Sequence, residues 1–244
     1  MDVSRNPGAK SQVRRLVRAA AVYAAAGAAM ILPALALVFE VSVAKDIPEG
    51  GIAESLQTCL LFLSAVAWAS LAARSRRDGK GPARAYLFVA FASLGMFVRE
   101  LDGFFDNVLW HGAWAPIDAA VLAAAAFALL RDWRATLADL ADFAESAHGL
   151  MAFAAVFSAV AFSQLLGWKG IWRTLFDIEP WRQVRASVLV YDQNVERHVK
   201  NVVEDALELF SYSSLLVAAF VPRLLVHRGA GAARRSGKSG EEAA

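Results

Sequence analysis

Three short stretches of the chain carry carboxylates at helical spacing. They are EGGIAES, which holds Glu54; RELDGFFDNVLWHG, which holds Arg99, Glu100, Asp102, Asp106 and His111; and RHVKNVVEDALEL, which holds His198, Glu204, Asp205 and Glu208. Carboxylates forced together in a poorly hydrated site drive their proton affinities apart, so one can act as an acid while another stays ionised. Glu54, Arg99, Glu100, Asp102, Glu204 and Glu208 form the candidate catalytic set on that reasoning. Arg99 either positions an anionic group or orients Asp102.

Adding histidine gives a second chemistry. His111, His198, Asp106, Glu204 and Glu208 offer nitrogen and oxygen donors of the kind that hold a divalent metal, zinc being the first expectation, with a position left open for water. A metal there would lower the proton affinity of that water and permit hydrolysis near neutral pH. The chain has no HExxH or similarly tight spacing, so such ligands have to converge from separate helices. A structural ion-pair network is the plainer alternative. Against it stands the acidic excess, with Arg99 and Arg197 as the nearby cations.

The positions within each stretch are informative. Asn201, Glu204, Glu208 and Ser211 recur at steps of three and four and share one helix face, and so do Arg99, Asp102 and Asp106. Helices must therefore bring these faces together, and the rest of the chain is rich in apolar runs from which to build them.

Of 244 residues, 57% are hydrophobic and 20% charged, the charges falling in blocks between apolar segments. That pattern predicts an all-α integral membrane protein of about six spans, near 19–43, 51–73, 83–105, 114–130, 149–168 and 202–226. A basic tail over 1–18 and a disordered tail over 229–244 flank this domain. Lys and Arg concentrate in alternate loops, which predicts both termini in the cytoplasm and a multi-pass protein of a bacterial inner membrane. Residues 132–148 read as an amphipathic segment on one face, and 169–200 as an aromatic, Arg-bearing cap on the other.

Several classes are excluded. The net charge of +2 and the scatter of basic residues argue against nucleic acid. One cysteine, Cys59, allows no internal disulfide, and its apolar surroundings predict a buried side chain. No phosphate-binding glycine loop or nucleophile elbow is present.

Taken together, the sequence predicts an outward-facing carboxylate, His and Arg pocket in a membrane bundle. The expected activity is hydrolysis of a lipid or lipid-linked substrate, with membrane lipids as partners. The alternatives are proton- or cation-coupled transport, for which a path through the apolar halves of the spans is not evident, and a non-catalytic subunit docking an outer partner. The sequence specifies no oligomeric state.

Overall fold

The computed structural model describes residues 27–28, 31, 33–39, 51–166, 168–176 and 195–220, and these are helical apart from short connections. The longest described element, α1 (Ile52–Asp78), starts after Gly51 and carries Glu54 in its first turn, where the helix dipole favours a carboxylate. Gly79 ends it in the left-handed conformation (φ 60°), returning its N–H to the Ser75 carbonyl. Helix α2 (Ala83–Glu100) runs back alongside α1, and the chain breaks at Leu101 before the short α3 (Asp102–Val108).

Helix α4 (Trp114–Leu130) follows and packs against α2. At its end the chain turns by 96° into α5 (Trp133–Ala144), with Asp132 as the N-cap accepting from the Ala135 N–H. Asp132 also meets Arg84 at 2.8 Å, tying this corner to the start of α2. Ser146 caps α6 (Ala147–Phe157), accepting from the Gly149 N–H at 3.0 Å while donating to the Phe143 carbonyl at 2.6 Å. A π-helical turn, Ser158–Phe162, leads into α7 (Ser163–Leu166) and α8 (Lys169–Phe176). The last described helix, α9 (Val195–Ala218), lies against both α1 and α6.

The core is built where α1, α2, α5, α6 and α9 meet. Trp68, Tyr86 and Phe143 stack there with ring centroids 5.7 Å apart, Phe143 edge-on to each of the other two. The Trp68 indole N–H donates to the Leu215 carbonyl at 3.1 Å, so α9 is held to α1 by a buried bond as well as by packing. A second cluster joins Leu37, within the helical residues 33–39, to Ala53 and Leu209.

This architecture corrects the expected six-span bundle. Among the described residues one helix, α1, is long and apolar enough to cross a membrane, or up to two if α4 and α5 are counted as one broken span. Even in α1 the apolar stretch is partly buried within the protein. The expected third span stops at Glu100, the fifth is interrupted by the π turn, and the sixth carries too many ionisable residues. Most of the expected first span, the end of the sixth and both tails lie outside the described residues.

The readings that depended on those spans are corrected with them. These are the multi-pass inner-membrane placement with both termini inside, and membrane lipids as partners. What stands is a helical fold with extensive packing between helices. Apolar length was the misleading signal: helices of 17 and 18 residues, separated by sharp breaks, look like spans when only their hydropathy is read.

Two smaller expectations also change. Cys59 is exposed rather than buried. Helix α5 is amphipathic as expected, but it turns Phe143 into the core and leaves Trp133 and Leu137 exposed. Elsewhere α4 is apolar almost all round with Leu129 alone buried, and Leu122, Phe127 and Leu130 are each at least 60% exposed.

Candidate functional site

At one end of the bundle, the start of α1, the end of α2, α3 and the first half of α9 enclose a pocket of about 450 Å³. Glu54 and Gln57 enter from α1, and Arg99 and Glu100 from the last turn of α2. Asp102 and Asp106 come from α3, and Glu204, Asp205 and Glu208 from α9. The three acidic stretches, remote in sequence, thus share one cavity. Seven carboxylates and one guanidinium are among its described lining residues.

Glu100 is held by Tyr212, whose hydroxyl donates to Oε1 at 3.0 Å. Loss of water on burial is the strongest influence on the Glu100 carboxyl and pushes its pKa up to about 7. The Tyr212 bond and the Arg99 charge pull the other way, while Glu54 and Asp102 add to the rise. Burial also raises the Tyr212 phenol, helped by Glu100 and Glu208, so it stays a donor.

The remaining walls are braced by polar contacts. Buried Gln57 donates to the Asp205 carboxylate at 3.3 Å, linking α1 to α9. Glu204 pairs with Lys200 at 2.6 Å one turn earlier on the same helix. Glu208 is buried, 5% exposed, at the inner end of the pocket's α9 face.

Asp106 serves the loop beyond α3. Its Oδ1 accepts the Gly112 N–H at 2.7 Å, and its Oδ2 contacts His111 Nδ1 at 2.6 Å. Gly112 sits at φ 82°, a conformation that suits glycine. The Gly112 bond, followed by His111, lowers the proton affinity of Asp106.

The candidate residues therefore divide. Glu54, Arg99, Glu100, Asp102, Asp106, Glu204 and Glu208 are brought together, whereas His111 is almost fully exposed and outside the lining. His198 belongs to α9, but its side chain lies outside the described residues, as does that of Arg197. Among the described residues no group of three or more His, Cys, Asp and Glu side chains is arranged to hold a metal ion.

The expected activity changes accordingly. A membrane-embedded hydrolase of lipids drew on six spans and on a convergent metal cluster, and the described residues provide at most two candidate spans and no such cluster. Transport and outer-face docking lose the same membrane frame.

Sequence reasoning missed Gln57, Lys200 and Tyr212. Gln57 and Lys200 carried a weak signal in their helical phase, Gln57 three residues after Glu54 and Lys200 four before Glu204. Tyr212 lies seven residues after Asp205 on α9, yet its partner follows only from the pairing of α9 with α2.

Comparison with protein-family models, curated proteins and solved structures finds no match. The functional reading therefore rests on the pocket's own chemistry.

Proposed function

We propose that the pocket binds a small organic cation and that Glu100 exchanges a proton as the ligand arrives. The observation that carries this reading is the lining itself, which holds seven carboxylates and one guanidinium, with burial pushing the pKa of one of the acids up to about 7. A cavity of about 450 Å³ falls within the range typical of small-molecule sites. Concentrated negative charge between low-dielectric walls attracts a cation and raises its local concentration.

The roles follow from position. Glu208 and Glu204 supply the negative wall on α9, Glu54 the opposite wall on α1, and Asp102 the rim. Arg99 limits the mutual repulsion of the acids beside it. Glu100 takes the proton-exchanging role because a group with a pKa of about 7 changes charge readily near neutral pH. A bound positive charge would favour its ionised form and expel the proton.

Tetraethylammonium, which cannot titrate, is the test ligand. Titration calorimetry should show saturable binding that weakens about tenfold or more in Glu208→Gln. Absence of binding to the wild-type protein, or equal binding to both, would reject the reading.

One observation favours a second role for the same residues. Glu100 lies beside Arg99, and an acid of near-neutral pKa next to a fixed cation is suited to general acid–base catalysis on a bound amine. Conversion of an amine substrate, lost in Glu100→Gln with binding retained, would establish it.

A further inference from the structure

Tyr212 lies outside the pocket lining yet touches its most unusual acid. The residue is 3% exposed and packs with Leu61 of α1 and Ala159 of the π turn, with Met96 and Phe97 of α2 alongside. A ring enclosed by three other elements has little rotational freedom, so its hydroxyl is fixed in direction. Its described hydrogen bond goes to Glu100 Oε1 at 3.0 Å, joining α9 to the last turn of α2. The π-helical turn Ser158–Phe162 supplies one wall of this enclosure, and such widened turns are frequent near functional sites.

We propose that Tyr212 is the positioning residue of the pocket, its fixed hydroxyl setting how readily Glu100 takes up and releases a proton. The role depends on the cation-binding reading only for what the proton exchange accomplishes. The physical basis is selective stabilisation. A hydrogen bond donated to a buried carboxylate favours the ionised form, which burial alone would suppress. Without the bond Glu100 would remain protonated to higher pH and would give up its proton less readily to a bound cation.

Other charges also act on this pair. Glu54 faces it from α1, Arg99 belongs to α2 itself, Asp102 approaches from α3, and Glu208 lies one turn before Tyr212 on α9. Glu54 and Asp102 oppose ionisation of Glu100, and Arg99 favours it. Tyr212 differs from them because it is uncharged, so its influence depends on direction and distance and is little screened by salt. Changing the hydroxyl alone therefore isolates its contribution.

The experiment follows the Glu100 carboxyl carbon by NMR in full-length protein labelled with ¹³C-carboxyl glutamate. Glu100→Gln identifies the resonance, and the pH is scanned without ligand. Wild-type protein should titrate near 7. Tyr212→Phe should raise the midpoint by about one to two pH units, the size expected for losing a hydrogen bond to a charged group. An unchanged or lowered midpoint would overturn the proposal.

Replacing all four tyrosines with 3-fluorotyrosine preserves the ring's shape and makes a stronger donor. It should move the midpoint down, and an unchanged or raised midpoint would again contradict the role. This arm keeps the test decisive if Tyr212→Phe folds poorly. Tetraethylammonium titrations of the same samples separate the two readings. Shifted midpoints without binding would reject the cation ligand and leave Tyr212 in place. Intact binding with immovable midpoints would reject Tyr212 alone.

Discussion

The two ends of this helical bundle use the same device for different ends. At the pocket, Tyr212 of α9 meets Glu100 of α2. At the opposite end of α2, the Tyr86 hydroxyl lies 3.3 Å from His148 Nε2 in the first turn of α6. Each pair joins two helices through a tyrosine and a titratable partner, and in each case burial is the main influence on that partner. It raises the pKa of the Glu100 acid and lowers that of the His148 base, since burial favours the neutral form, which for the acid is protonated and for the base deprotonated.

The surroundings separate the two pairs. His148 sits among Phe143, Tyr86 and the Ser146 hydroxyl, where packing is close. Glu100 faces other acids across an open cavity. The comparison teaches that a perturbed titration marks a candidate site only where there is also room for a ligand.

The largest effect is expected at the packed end. A Cβ on Gly149 would collide with the Phe143 carbonyl oxygen, a clash with backbone that the α5–α6 junction has to move to relieve. Gly149→Ala should cost about 4 kcal/mol or more in denaturant unfolding. Substitutions that only remove charge from the pocket should cost far less.

The second contrast is in pH dependence. Glu100 has a folded pKa of about 7 against an ordinary 4.5, so the folded protein holds its proton more tightly than the unfolded chain. Stability therefore falls as pH rises from 4.5 to 7, and the penalty is complete above 7. Glu100→Gln should remove it. The variant should gain about 2 kcal/mol relative to wild type at pH 8 compared with pH 4, after allowance for solvent and neighbouring charges.

His148 slopes the opposite way. Its folded pKa is below the ordinary 6.5, so the neutral form's stabilisation is complete above 6.5 and is lost as pH falls through that value toward the folded one. His148→Gln should flatten this acid limb in thermal melts across pH 4–8. Parallel slopes for the two variants would erase the distinction between the ends.

The smallest effect belongs to Tyr86→Phe, which removes the 3.3 Å contact while keeping the ring in its cluster. A loss of about 1 kcal/mol in denaturant unfolding is expected. Tetraethylammonium binding at the other end should be unaffected.

Much of the pocket was legible from helical phase. Glu54 near the start of α1, the Arg99–Asp106 stretch across the α2–α3 break and Glu204–Glu208 in the middle of α9 each place polar groups beside apolar runs, and burial of such groups demands company. Two of the helices were also visible: Trp114–Leu130 has the expected bounds, and Ile52–Asp78 runs five residues beyond the expected segment.

The arrangement of those helices was not visible. Alanine-rich runs satisfy a hydropathy window, but the breaks at Leu101, Asp132, Ser146 and Ser158 decide what the runs become. Breaks of that kind depend on capping and packing between segments distant in sequence, as at Ser146, Gly149 and Phe143. Tyr212 was hidden for the same reason, because its role depends on a partner 112 residues away.

Cation binding coupled to proton exchange at Glu100 is tested most directly by counting protons. Tetraethylammonium is titrated into the protein at pH 7 in two buffers of different ionisation enthalpy. Wild-type protein should release about half a proton per ligand, since Glu100 is then near half-protonated and the bound cation drives it to the carboxylate. Glu100→Gln should bind the same ligand and release close to none. Binding with equal proton release from both proteins, or with none from wild type, would contradict the coupling.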